Sequence, residues 1–146
     1  MTKSYFFSFL LLGSLLSACS GSIRTDTVDF TQGFTDGNSK VWMVEKTISP
    51  DGAVSIKQSL QQEVIIFYQS GNCLLTNLQK LAAGKGVHGK MEFDHEKHYV
   101  TLRFPHEERL FEFEFTNENL LILYPLEGSD YTNAMELIPF PELTQR

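Results

Sequence analysis

Cysteine is scarce in this chain, which holds only Cys19 and Cys73 among its 146 residues. Two cysteines are too few for a disulfide scaffold, and no Cys-x-x-Cys pair indicates a structural zinc site. Basic residues are also few, because 12 Lys and Arg face 18 Asp and Glu, a formal net charge of −6. A phosphate-binding face needs clustered Lys and Arg, so this composition argues against a nucleic-acid partner.

Signatures of catalysis are missing as well. The sequence has neither the Gly-x-Ser-x-Gly turn of a serine hydrolase nor a complete P-loop. No thiol-enzyme signature surrounds Cys73, so we interpret it as a small buried hydrophobe in a strand. The paired carboxylates Glu107–Glu108 and Glu112 with Glu114 indicate an outward, solvated face. We therefore expect no enzyme, no catalytic residue and no cofactor.

The histidines offer one conceivable metal site. His95-x-x-His98, followed by His106 and two glutamates, would place imidazoles and carboxylates near one end of a hairpin, as in some zinc or copper sites. No helical His-Glu-x-x-His or Cys/His framework fixes the ligand geometry, so solvated turn residues are the expected role. We predict no metal site.

An export signal occupies the N-terminus. Lys3 supplies a positive charge, and residues 5–16 form an apolar run too short to span a bilayer. The run ends in Leu16-Ser17-Ala18-Cys19, which resembles the lipobox of bacterial lipoproteins. This resemblance implies a signal peptide of residues 1–18 and a membrane anchor of acyl chains on Cys19. The alternative is an ordinary secretory signal that happens to contain a cysteine.

Removal of residues 1–18 would leave 128 residues with 11 Lys and Arg against 18 Asp and Glu, a net charge of −7. Residues 19–39 are rich in Gly, Ser, Thr and Asp and predict a lipidated tether, although Phe30 and Phe34 offer a way to dock on the domain. Ser20 is not the Asp that retains many proteobacterial lipoproteins at the inner membrane. The expected location is therefore the cell envelope, at the outer membrane.

Residues 40–146 are expected to form one all-β domain, because apolar and polar residues alternate with a period of two. Phe111, Phe113 and Phe115 alternate with Glu112 and Glu114, as in a half-buried strand. The preceding strand places Val100, Leu102 and Phe104 inward, and before that Met91 and Phe93 alternate with polar residues. Short polar connections between these runs predict an antiparallel meander.

The remaining elements follow from turn chemistry. Ser49-Pro50-Asp51-Gly52 suits a type I turn between strands at 41–48 and 53–59, and Ser70-Gly71-Asn72 predicts a second hairpin. Residues 120–123 are apolar on both faces, which predicts a strand that is covered on both sides or contributes to a contact. Between residues 76 and 84 a short helix, with Gly84 as its C′ residue, competes with a continued strand. The total is eight or nine strands.

The order of features from about residue 40 to 140 resembles the small lipocalin-like lipoproteins common in Bacteroidota. The resemblance lies in the early Trp42, the hairpin at 67–71, the Gly89-x-Met91-x-Phe93 strand, and the late strand at 120–124 followed by Met135-x-Leu137. The glycine of the lipocalin Gly-x-Trp motif is Lys40 here. The resemblance implies an up-and-down antiparallel barrel of about eight strands in which the tryptophan closes one end.

Two functions without catalysis fit such a barrel. In the first, the interior binds a small apolar ligand, such as a lipid or acyl product. Its candidate lining residues are Trp42, Leu102, Phe104, Phe111, Phe113 and Phe115. In the second, these side chains fill the barrel, and the outer surface docks a protein partner in an envelope assembly. An inhibitor that plugs an enzyme's active site is a third possibility. A ligand-binding interior would need about 300 Å³ of free volume.

Overall fold

The fold comes from a computed structural model, which describes residues 29–56 and 59–141. Cys19 and residues 1–18 lie outside the described residues. Among the described residues, none of the helices is long and apolar enough to cross a membrane. The elements are α1 (Phe30–Thr35), β1 (Ser39–Ile48), β2 (Val54–Ser55), β3 (Glu63–Tyr68), β4 (Asn72–Asn77), α2 (Leu78–Ala82), β5 (Val87–Asp94), β6 (Tyr99–Arg103), β7 (Glu108–Asn117), β8 (Leu120–Pro125) and β9 (Ala134–Pro139).

Eight of the nine strands form a closed antiparallel barrel, as predicted. From β3 to β9 each strand pairs with its neighbour in sequence, while β1 pairs with β3 on one side and β9 on the other. Trp42 lies in register with Ile65 of β3 and with Pro139 of β9, so β1 is where the barrel closes. The two-residue β2 pairs with the end of β1. Closure leaves the eight barrel strands without a long free edge.

The two ends of the barrel differ. The end that we call the α1 end carries α1 and the connections at 68–72, 94–99 and 117–120. The opposite end, the Arg109 end, carries α2 and the connections at 48–54, 103–108 and 125–134. Both termini of the described chain, Asp29 and Pro141, lie at the α1 end, because Phe140 N donates to Val41 O at 2.8 Å.

α1 closes its end of the barrel with an aromatic side chain. Asp29 caps the helix by accepting from Thr31 N at 3.0 Å, and Asp36 ends it in the left-handed conformation. Phe34 is fully buried, and its ring lies 4.8–5.1 Å from four other phenylalanine rings. Trp42 Nε1 donates to Phe34 O at 3.0 Å, so the buried indole N–H has a hydrogen-bond acceptor. Trp42 thus helps to close this end, as the resemblance implies.

The domain begins earlier than residue 40, where the predicted tether ended. Docking of Phe30 and Phe34 on the domain, the alternative to a free tether, is what the structure shows. The physical reason is that the barrel end offers Phe34 an apolar site that no residue of β1 fills. Residues 19–28 of the predicted tether lie outside the described residues.

Most turn predictions are confirmed. Gly52 N donates to Ser49 O at 2.8 Å in the turn between β1 and β2, and the second hairpin joins β3 to β4. The short helix α2 forms where helix and strand competed, and Gly84 has φ +66° just beyond its C-cap. Of the strand predicted at 53–59, Val54–Ser55 pairs with β1, and residues 57–58 lie outside the described residues.

Of the two predictions for residues 120–123, cover on both faces is wrong, and a contact through the outer face stays a prediction. Leu121 and Leu123 are fully buried, but Leu120 and Ile122 are only half-buried. The strand that is buried on both faces is β3, where Val64 and Ile65 are both inaccessible to solvent. The apolar pattern of β8 shows which face points inward, while cover on the other face depends on distant residues.

Candidate functional site

The six residues predicted to line a ligand cavity lie in the hydrophobic core or pack against it. Trp42, Leu102, Phe104, Phe111 and Phe113 are buried, while Phe115 is partly buried against them. The ring centroids of Phe113 and Phe115 are 6.0 Å apart, and that of Phe115 is 6.3 Å from Trp42. Edge-on and tilted aromatic contacts of this kind fill space at the density of a protein interior. Binding of an apolar ligand among these side chains stays a prediction.

The larger grooves lie on the outside and at the rims of the barrel. A groove of about 810 Å³ at the α1 end is bordered by Asp36, Lys40 and Phe140, among others. At the Arg109 end, one groove of about 510 Å³ is bordered by Tyr124 and Tyr131, and another of about 320 Å³ lies beside α2. None of these three grooves is lined by the six predicted residues.

A buried cation lies at the Arg109 end. The Arg109 side chain is only 6% exposed, although Arg109 is the second residue of β7. Its Nη1 donates to Glu63 Oε1 at 3.0 Å, and its Nη2 donates to Glu107 Oε1 at 2.8 Å. The guanidinium carbon lies 4.4 Å from the ring centroid of Tyr131 and 5.6 Å from that of Phe104. Two carboxylates and two aromatic rings therefore surround the guanidinium.

The pKa values in this cluster follow from burial and from the two carboxylates. Burial by itself lowers the pKa of Arg109, but the hydrogen bond to Glu107 and the charge of Glu63 outweigh it, so the net shift is upward. Burial also raises the pKa of Tyr131, and the charge of Glu63 adds to the rise. Burial raises the pKa of the nearby Cys73 thiol to about 11. At neutral pH the phenol of Tyr131 and the thiol of Cys73 are therefore uncharged, near the Arg109 cation.

One polar atom of the cluster has no protein partner. Arg109 Nε is buried and, among the described residues, donates to no acceptor within hydrogen-bond distance. The Nε–H and Nη2 lie on the same side of a guanidinium and form a fork that a carboxylate can occupy with two hydrogen bonds. Glu107 takes only the Nη2 position. One donor of this fork is therefore open.

Arg109 is not among the site residues predicted from the sequence, although the sequence carries a signal for it. Arg109 has the same parity in β7 as Phe111, Phe113 and Phe115, so the alternation that places those rings inside also points Arg109 inward. Charged residues are rarely buried unless they are paired, so the alternation by itself favours the phenylalanines as the inward residues. The partner Glu63 lies 46 residues away, beyond the reach of any local pattern.

The histidines do not come together as a metal site. His95 and His98 lie at the turn between β5 and β6, whereas His106 lies at the turn between β6 and β7, at the other end of the barrel. His95 and His98 instead contact the ring of Phe30, at centroid distances of 6.2 Å and 4.7 Å. Within residues 29–56 and 59–141, no group of three or more His, Cys, Asp and Glu side chains is placed to hold a metal ion.

Residues 84–89, Gly-Lys-Gly-Val-His-Gly, have the glycine spacing of a dinucleotide-binding turn. They run from the end of α2 into β5, whereas that turn runs from a strand into the N-terminus of a helix. Packing explains the last glycine, because a Cβ on Gly89 would lie 2.6 Å from the backbone oxygen of Arg103. The spacing here therefore offers no site for a pyrophosphate.

A scan against protein-family models found no match, and searches of curated proteins and of solved structures found none either.

Proposed function

We propose that this chain is a non-enzymatic lipoprotein of the cell envelope, anchored through Cys19, whose side-chain-filled barrel docks a protein partner. The observation that carries the proposal is the packed interior. Phe34 closes the α1 end, and five of the six predicted lining residues are buried against one another. A barrel filled in this way presents its surface, rather than a cavity, to other molecules.

The Arg109 end supports docking there. Four of the exposed large apolar side chains of the described residues lie at this end, on β2, on the segment before β3 and at the start of β5. They are Val54, Ile56, Leu60 and Val87, exposed by 45–65%. Exposed apolar side chains that share one rim are typical of protein-binding surfaces. The lipobox supports the anchor, and Ser20 supports location at the outer membrane.

Crosslinking in the native host tests the docking proposal. We expect a defined crosslinked complex with one envelope protein, lost in Leu60→Asp and kept in Phe140→Asp. Both changes place a charge on an exposed apolar residue, but Phe140 lies at the α1 end. A complex that survives Leu60→Asp, or its loss in both variants, would contradict docking through the Arg109 end.

Native mass spectrometry tests the filled barrel. Protein purified from its own host should show its own mass, with no apolar molecule released by organic extraction. A near-stoichiometric apolar ligand, lost in a folded Phe113→Arg variant, would replace our proposal with the ligand-binding barrel. Phe113 is the appropriate position because its ring packs against Phe30, Phe34, Phe93 and Phe115.

A further inference from the structure

We propose that the open side of the Arg109 guanidinium, formed by Nε–H and Nη2, is a binding subsite for the carboxylate of an aliphatic monocarboxylate, which takes the place of Glu107. This inference goes beyond the docking function and does not depend on it, because it concerns only residues of the Arg109 end.

The buried, unpartnered donor is the first support. Arg109 is more than nine-tenths buried, and its Nε–H lacks an acceptor among the described residues. A buried donor without a partner costs free energy, which an added acceptor recovers. A carboxylate suits this position because its two oxygens match the spacing of Nε and Nη2, whereas Glu107 uses only one of the two donors.

Glu107 is the group that a ligand can displace. It belongs to the short connection between β6 and β7, and its side chain is 32% exposed. Rotation of this side chain into solvent would free Nη2 and leave the ion pair between Nη1 and Glu63 intact.

The groove that Tyr131 also borders offers an apolar surface for the rest of the ligand. Tyr131 lies against the Arg109 guanidinium, at 4.4 Å, and also borders the groove of about 510 Å³. Most of the lining is apolar, with Ile48, Pro50, Tyr124, Pro125 and Leu126. The groove exceeds the roughly 300 Å³ at which ligand pockets begin. A short aliphatic chain attached to the carboxylate therefore has an apolar surface one aromatic ring away from the cation.

The test follows the Nε–H resonance of Arg109 by NMR in the full chain in nonionic detergent at pH 7. The probe is hexanoate, and its uncharged control is hexanamide. We expect hexanoate to shift the resonance in a saturable way and hexanamide to leave it in place. An Nε–H resonance that hexanoate does not move, in the unchanged chain and in Glu107→Gln, would overturn the proposal and leave water as the partner of this donor.

Two variants with the same change of charge distinguish hydrogen bonding at the Nε–H and Nη2 fork from attraction by net charge. Glu107→Gln removes the competing carboxylate, so hexanoate should bind about tenfold more tightly, as expected for loss of one charge-assisted hydrogen bond. Glu63→Gln changes the charge equally but frees only Nη1, outside the fork, so affinity should change less than about threefold. Equal tightening in both variants would overturn the proposal, because it would show attraction by net charge alone.

A second pair of probes identifies the source of the carboxylate. N-acetyl-leucine represents the C-terminus of a peptide, and N-acetyl-leucinamide is its uncharged control. Tighter binding of N-acetyl-leucine than of hexanoate would assign the subsite to a chain terminus, and the reverse order to a free aliphatic acid. Either order supports the subsite, and neither depends on whether a crosslinked partner is found.

Discussion

At the scale of single residues, Cys73 shows how the interior controls reactivity. Its side chain is inaccessible to solvent, and burial raises the pKa of the thiol to about 11, although the charge of Arg109 acts in the opposite direction. The thiolate is the reactive form of cysteine, and at neutral pH almost none is present here. The chemistry of this site therefore agrees with the interpretation of Cys73 as a small buried hydrophobe.

The raised pKa of Cys73 predicts a loss of stability in alkali. A group whose pKa is raised on folding contributes stability below its unfolded pKa, near 9, and loses it as the pH rises through the folded value. For a shift from 9.0 to about 11, the free energy of unfolding should fall by about 2–3 kcal/mol across that interval. Urea denaturation at pH 8.5 and pH 11 measures this fall.

The control for this prediction is Cys73→Ala, with both chains carrying Cys19→Ser so that Cys73 is the sole thiol in the parent. Lys and Tyr side chains titrate in the same range and contribute equally to both chains. The difference between the two chains in how far the free energy of unfolding falls with pH therefore reports on Cys73. If the free energy of unfolding fell equally with pH in parent and variant, the prediction would be contradicted. The pKa of the Cys73 thiol would then be the same in the folded and unfolded states.

At the scale of elements, the strands and the helices differ in how far the sequence alone predicts them. Alternation of apolar and polar residues over 8–10 residues identifies β5 and β7, because buried and exposed positions alternate along a strand with one face in water. α1 has six residues, too few for a helical period to stand out, and two of its positions owe their burial to strands far along the chain. The burial of Arg109 rests on the distant Glu63 in the same way.

α1 is nevertheless a structural part of the barrel, which predicts a large effect of Phe34→Ala. The ring is fully buried among Phe67, Phe93, Phe113 and Phe115, so its removal leaves a cavity at the α1 end. We expect the free energy of unfolding to fall by about 3–5 kcal/mol. Chemical denaturation measures the loss, and the emission of Trp42, the only tryptophan, should shift to the red as water reaches it.

Gln32→Ala is the matched control for Phe34→Ala. It lies in the same helix but is exposed, so its change should alter the free energy of unfolding by no more than about 0.5 kcal/mol. If Phe34→Ala and Gln32→Ala were equally mild, α1 would contribute little to the core, and the domain would begin at β1.

At the scale of the whole molecule, the two ends of the barrel carry different properties. The α1 end is closed by Phe34 and Trp42 and receives the chain from the N-terminal side at Asp29. The Arg109 end carries the buried cation, its two carboxylates and the exposed side chains of Val54 and Leu60. The barrel wall between them is a rigid, hydrogen-bonded cylinder, so an anchor at one end determines which end is presented to a partner.

The proposed anchor at Cys19 therefore predicts an orientation. Nine residues separate Cys19 from the final residue before α1, Asp29, and ten peptide steps span at most about 35 Å. A lipid at Cys19 thus keeps the α1 end nearer the bilayer than the Arg109 end. Fluorophores on Glu118→Cys and Glu127→Cys, both exposed and at opposite ends, report this difference. Lipid-borne nitroxides should quench the Glu118 position more strongly.

The buried Cys73 makes this labelling selective, because a protonated, inaccessible thiol competes little with an exposed cysteine at neutral pH. A Cys19→Ser chain supplies the control, since without the anchor neither fluorophore should be quenched. Equal quenching at both positions would mean that the barrel lies on its side, and stronger quenching of Glu127 would place the Arg109 end against the lipid. Either result would contradict docking of a partner through an Arg109 end that faces away from the membrane.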